Sequence, residues 1–183
     1  MKKIILSVVL ALMLVSLIAV PVFAAPAGNS NTGHLYLYEK DTSWTVVPGG
    51  AWGKFNYKLS VAGVDGVNTT VSGVFNGHGL DAAVGYSLIY YPETVVDPWT
   101  APPVVQLIGS DTANKGGNVH IAGTAIIGGP DTQPTVGDYI GQTGDKIWLV
   151  LSSDLDTTGD VTTMIGWTPA EYLFEDNLIN TGD

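Results

Sequence analysis

Asp154-Leu155-Asp156-Thr157-Thr158-Gly159-Asp160 places oxygen-bearing side chains at alternate positions ahead of a glycine. Asp154, Asp156, Thr158 and Asp160 imitate the first half of a calcium loop, in which a tight turn folds successive oxygens around one hard cation. The twelfth position, where a bidentate carboxylate should close the shell, is Ile165. The competing expectation is a hairpin turn between Trp148-Leu149-Val150-Leu151 and Val161-Thr162-Thr163-Met164, with Asp and Gly chosen for turn geometry. No cofactor is assigned from the sequence; calcium is the possible one, at a weak site suited to extracellular concentrations.

Three histidines provide the next possible chemistry: His34, His78 within Asn76-Gly77-His78-Gly79, and His120. Strand-borne imidazoles from distant segments can converge on zinc or copper without any fixed sequence spacing. The absence of cysteine excludes a blue-copper centre. The simpler expectation is separate turn and sheet-face histidines. Five tryptophans and eight tyrosines are many for 183 residues. Trp52, Trp99 and Trp167 are expected in loops, where flat rings can stack on sugars, although Trp and Tyr also fill and rim β-cores.

Catalytic signals are weak. Gly85-Tyr86-Ser87-Leu88-Ile89 lacks the second glycine of a nucleophile elbow and lies in a strand pattern. No carboxylate pair is marked by spacing as a glycosidase pair, and Glu171 with Glu175 reads as a solvated edge. Neither a phosphate loop nor an HExxH helix is present. No catalytic residue is therefore assigned. Asn68-Thr69-Thr70 is a sequon, so Asn68 is a glycosylation candidate.

The charge balance narrows the partners. Seven lysines, no arginine and 17 acidic residues leave a formal net charge of -10. Nucleic acid and anionic membranes need clustered cations, so both are disfavoured. Most of the acids are Asp beside Gly, Thr, Ser or Pro, which makes them turn residues first.

The chain opens with Met1, Lys2 and Lys3, an apolar run from Ile4 to Val20, and Pro21-Val22-Phe23-Ala24. This is the pattern of a secretory signal over residues 1–24, with cleavage expected after Ala24; an uncleaved anchor is the alternative. Residues 25–33 read as a flexible leader and 34–183 as a single domain. A chain of that length buries roughly 68–70% of its unfolded surface, enough to fold without disulfides. The expected product is secreted, at or beyond the cell surface, and without membrane insertion once the signal is removed.

The elements that must position these residues are strands. Leu35 and Leu37 alternate with His34, Tyr36 and Tyr38; Phe55, Tyr57 and Leu59 alternate with Lys54, Asn56, Lys58 and Ser60. Val67 to Phe75 and Val119 to Ala125 repeat the period of two, while Tyr86–Tyr91, Val104–Ile108 and Lys146–Ser152 are apolar on both faces and central. The pattern predicts an all-β fold, an antiparallel β-sandwich of about 7–9 strands. Helix is limited to at most one short turn near the C-terminus. It starts at Thr168-Pro169-Ala170-Glu171, which has capping-box spacing with proline at the first helical position, and a last strand follows. Pro92–Pro103 and Gly128–Gly144 are long loops.

Phe75-Asn76-Gly77-His78-Gly79-Leu80, Tyr86-Ser87-Leu88-Ile89-Tyr90-Tyr91-Pro92, Gly116-Gly117-Asn118-Val119-His120-Ile121 and Lys146-Ile147-Trp148-Leu149-Val150-Leu151 resemble a group of exported archaeal and bacterial β-domain proteins over most of residues 34–179. The resemblance implies a surface or secreted module and carries over no functional residue. The leading expectation is a secreted, non-enzymatic β-sandwich domain whose partner is an extracellular or cell-surface protein. A glycan- or calcium-binding module is the alternative, with polysaccharide as the other partner, and a small exported hydrolase comes third.

Overall fold

The computed structural model describes residues 32–62, 68–91, 102–127 and 146–176, all within the compact unit Asn31–Asp183. The expected signal segment, residues 25–31 of the leader, Trp99 and nearly all of both long loops lie outside the described residues.

Ten strands were found: β1 Thr32–Tyr38, β2 Trp52–Ala62, β3 Asn68–His78, β4 Gly85–Tyr91, β5 Val104–Thr112, β6 Val119–Ile127, β7 Lys146–Leu151, β8 Leu155–Asp156, β9 Thr162–Met164 and β10 Leu173–Glu175. The remaining regular elements are 3-10 turns at Ser152–Asp154 and Pro169–Glu171. The second begins at the expected proline and leads into β10. Its capping box is not made, because Thr168 forms no side-chain cap bond.

All strand pairs are antiparallel, in the order β6-β3-β2-β1-β10-β7-β4-β5-β9-β8. The fold is all-β, as expected, but the strands form one sheet curled into a half-barrel where two facing sheets were anticipated. The reason lies in β10. It returns from the end of the described chain to pair with β1 on one side and β7 on the other, joining two groups of strands edge to edge.

Curling brings β6 against β5 at two glycines. A Cβ on Gly123 would run into the Ile108 carbonyl, and one on Gly109 would lie 2.8 Å from the Ala122 carbonyl oxygen. Only bare backbone fits at this approach.

Inside the curl, Leu35, Leu37, Phe55, Val71, Phe75, Leu88, Ile121 and Leu149 form the main core with their buried neighbours. Strands β4 and β7 are buried on their other face too. Ile89, Tyr91, Trp148 and Val150 pack outward under Leu155, Met164, Tyr172 and Phe174. The two-faced apolar patterns of Tyr86–Tyr91 and Lys146–Leu151 thus mark the central strands, as expected. Val104–Ile108 is less enclosed, since Val104 is exposed and Gln106 and Leu107 are half-buried.

The expected hairpin after β7 is displaced. A 3-10 turn intervenes, and the short strand β8 then pairs with β9 through Leu155↔Met164 and Asp156↔Thr163.

Candidate functional site

Side chains alternate between the two faces of a strand, so burying Leu35, Leu37, Phe55 and Phe75 turns Tyr36, Tyr38, Trp52 and Lys54 outward. Strand register then lines them up. His78 lies opposite Trp52, Trp52 opposite Tyr38, Tyr38 opposite Phe174, and Phe174 opposite Trp148. A row of aromatic rings therefore crosses β3, β2, β1, β10 and β7 on the outer side of the sheet, accessible at Trp52 and Tyr38 and buried at Phe174 and Trp148.

Rings meet at both ends of this row. Trp52 and His78 have centroids 4.9 Å apart, Tyr36 and Tyr38 stack at 6.2 Å, and Lys54 Nζ lies 5.5 Å from the Tyr36 ring centre. At the other end, Trp148 stacks on Tyr91 at 4.0 Å and meets Phe174 edge-on at 5.3 Å. Trp44 reaches over Phe174 from the β1–β2 loop at 4.9 Å. Trp167 lies 5.8 Å from Trp148. Trp52, Trp44 and Trp167 keep 40%, 57% and 42% of their surface exposed.

Beside this row, β3 and β6 carry the same tripeptide pattern running in opposite directions. Asn76-Gly77-His78 faces Asn118-Val119-His120, with Asn76 opposite His120. His120 Nδ1 donates to Asn76 Oδ1 at 2.8 Å, and His78 Nδ1 donates to Asn118 Oδ1 at 2.8 Å. A carbonyl oxygen can only accept, so each Nδ1 carries a hydrogen, and the two asparagines fix the orientation of the rings. His34, which packs against Tyr36, lies on this face as well. All three histidines thus share one surface, although among the described residues no group of three or more His, Cys, Asp or Glu is arranged to hold a metal.

Adjoining the rings, the outer face of β1, β2, β3 and β6 dips into an open concavity of about 910 Å³. His34, Asn56, Lys58, Ser72, Ala122 and Thr124 line it. Glycines 33, 73 and 123 form much of its floor.

The calcium candidates have other duties here. Asp154 accepts a 2.5 Å hydrogen bond from the Tyr172 hydroxyl on Oδ2. Burial, and then Asp154, push the Tyr172 hydroxyl well above its ordinary range. Asp156 Oδ1 accepts from Thr158 Oγ1 at 2.7 Å and Thr158 N at 2.9 Å, and these bonds hold the Asp156 carboxyl below its usual value. Asp160 is exposed. Asp154 thus bonds Tyr172 across the fold, while Asp156 bonds Thr158 within the turn.

Of the tryptophan candidates, Trp52 opens β2 instead of sitting in a loop, and Trp167 lies in irregular chain between β9 and Pro169. Both belong to the aromatic surface. Asn68 begins β3 opposite Ala62. Ser87 is buried, and its hydroxyl shares hydrogen bonds with Ser110 and Ser152 at 2.8 Å each. Glu171 and Glu175 do not form a common solvated edge, because Glu175 Oε2 is shielded without a hydrogen-bond partner. Burial pushes the Glu175 carboxyl up to about 7, against the pull of Lys146 and Lys40.

Tyr36, Tyr38 and Trp44 were not singled out in the sequence. The repeated Asn-x-His pattern was a usable signal, since residues two apart on a strand share a face. No protein-family model, curated protein or solved structure matches the chain.

Proposed function

We propose that this protein is an exported, non-enzymatic binding domain that holds a polysaccharide on its outer sheet face. The observation that carries the reading is the accessible part of the aromatic row, His78–Trp52–Tyr38 with Tyr36 beside it, resting on the buried Phe174 and Trp148 and flanked by outward amide and imidazole groups. Pyranose rings present apolar C–H faces and polar hydroxyl edges. Exposed aromatic rings match the faces, while Asn and His side chains match the edges. Export rests on the leader sequence.

The test is retention of the purified protein on insoluble polysaccharides. Trp52→Ala should weaken retention about threefold to tenfold, the worth of one aromatic contact, with little change in melting temperature. Unchanged retention in Trp52→Ala, or none on any polymer, overturns the proposal.

A second reading, contact with another cell-surface protein, draws on a different observation. Val161 and Ile165, 55% and 61% exposed, flank β9 at its two ends. Crosslinking on intact cells that captures one protein through this edge, with polysaccharide retention absent, would favour it.

A further inference from the structure

We infer that the polymer held on the outer face is an acidic polysaccharide, a polyuronate laid along β2; this rests on the polysaccharide reading above. The chain has 17 acidic residues against seven lysines, yet β1, β2, β3 and β6 contain no Asp or Glu at all. The same four strands carry Lys54, Lys58 and all three histidines. The described acids lie in the turns and in the strands of the other half, among them Asp81, Asp111, Asp154, Glu171 and Asp176.

Charge segregated in this way selects partners. An anionic chain approaching a protein of net charge -10 is repelled over most of its surface, and the acid-free face is where the repulsion is relieved. Geometry adds direction to the charge. Trp52, Lys54, Asn56, Lys58 and Ser60 alternate outward along one extended strand, each of their outward steps spanning about 6.6 Å. A polymer following β2 meets a stacking ring first, then an ammonium, an amide and a second ammonium about 13 Å from the first. Lys58 lines the concavity, which gives the chain room to lie against the small side chains Ser72 and Ala122. Lys54 is held over the Tyr36 ring, so its stem is oriented before a ligand arrives.

Two lysines neutralise too few phosphates for tight nucleic-acid binding, where affinity grows with the number neutralised.

The experiment compares binding of polygalacturonate and of a neutral β-glucan to the purified protein at low and at moderate salt. Polygalacturonate should bind more tightly, and raising the salt should weaken it while leaving the glucan unchanged. The Lys54→Gln/Lys58→Gln double variant should lose about threefold to tenfold on polygalacturonate with an unchanged melting temperature. Equal, salt-independent binding of both polymers overturns the acidic specificity and leaves the polysaccharide reading standing. Binding to neither overturns both. Tighter binding of oligothymidylate, or altered self-association in the double variant without any effect on polygalacturonate, overturns this inference in favour of another anionic partner.

Discussion

Tyr38 of β1 sits directly opposite Phe174 of β10. That pairing unites two aromatic groups lying far apart in the chain: Tyr36, Tyr38 and Trp52 from the N-terminal strands, and Trp148, Trp167 and Phe174 from the C-terminal ones. Phe174 is 2% exposed, and its ring meets Trp44, Trp148, Trp167 and Tyr172. It serves as the base on which the more exposed rings rest, while Tyr38 carries the row on to Trp52.

The glycine contact between β5 and β6 should be the least tolerant point of the barrel. A methyl at Gly123 meets the Ile108 carbonyl, and neither strand can yield without losing its own ladder. Gly123→Ala is expected to cost about 1–3 kcal/mol, lowering the melting temperature by roughly 2–4 °C per kcal/mol. Gly159→Ala is the control, because its methyl would lie 3.7 Å from the Val161 carbonyl oxygen, an ordinary contact. Equal melting temperatures for the two variants would contradict the tight approach.

Glu175 should make the fold more stable in mild acid than in mild base. Folded, the carboxyl keeps its proton up to about pH 7, whereas the unfolded chain releases it near 4.5. Between these values the folded state binds more protons, so stability is greatest at the acid end and falls as pH rises through the window. Glu171, raised mainly by burial and then by Asp81, acts in the same direction from a more exposed position. Asp156, held low by Thr158, matters only below its ordinary range. Melting temperatures at pH 5 and pH 8 should therefore differ by a few degrees, and Glu175→Gln should flatten the difference. Identical pH profiles for the two proteins would remove Glu175 as the cause.

Trp44 adopts φ 60°, a left-handed conformation that costs a side-chain-bearing residue about 1–2 kcal/mol. The loop holds it there: Asp41 Oδ1 accepts from Ser43 N at 2.8 Å and Thr45 N at 3.0 Å, while Trp44 N donates to the Asp41 carbonyl at 2.9 Å. Trp44→Ala keeps the backbone strain and loses the ring contact with Phe174; Trp44→Gly loses both. Denaturant unfolding should accordingly find Trp44→Gly more stable than Trp44→Ala by about 1 kcal/mol. The reverse order would mean that the loop relaxes when the ring is removed.

The strands that carry long period-two patterns were legible from the chain. Leu35 and Leu37, Phe55 and Ile121 lie where alternation put them, and the Trp148 strand is buried on both faces as its continuous apolar run implied. The two-residue strand β8 was not legible, because two residues hold no period to read; β9 and a last strand were expected, but their partners were not. The place of β10 had the larger consequence: a last strand was expected, but nothing local shows that it pairs with β1 and β7 at once, and without that pairing the strands divide naturally into two facing sheets. Trp52 was recognised as a ligand candidate, yet its surrounding Gly and Ala suggested a loop, and tertiary pairing with Tyr38 and His78 made it strand instead.

By itself the sequence determined which side chains can face outward, the lack of acids in four strands, and the signal-like leader. Alternation and composition are local properties that survive in any arrangement. Only the tertiary structure decided that His78, Trp52, Tyr38, Phe174 and Trp148 stand in one row, and that all three histidines share a face. Neighbours across a sheet are set by pairing between distant segments, and here that pairing depends on a three-residue strand whose place is fixed by two partners at once.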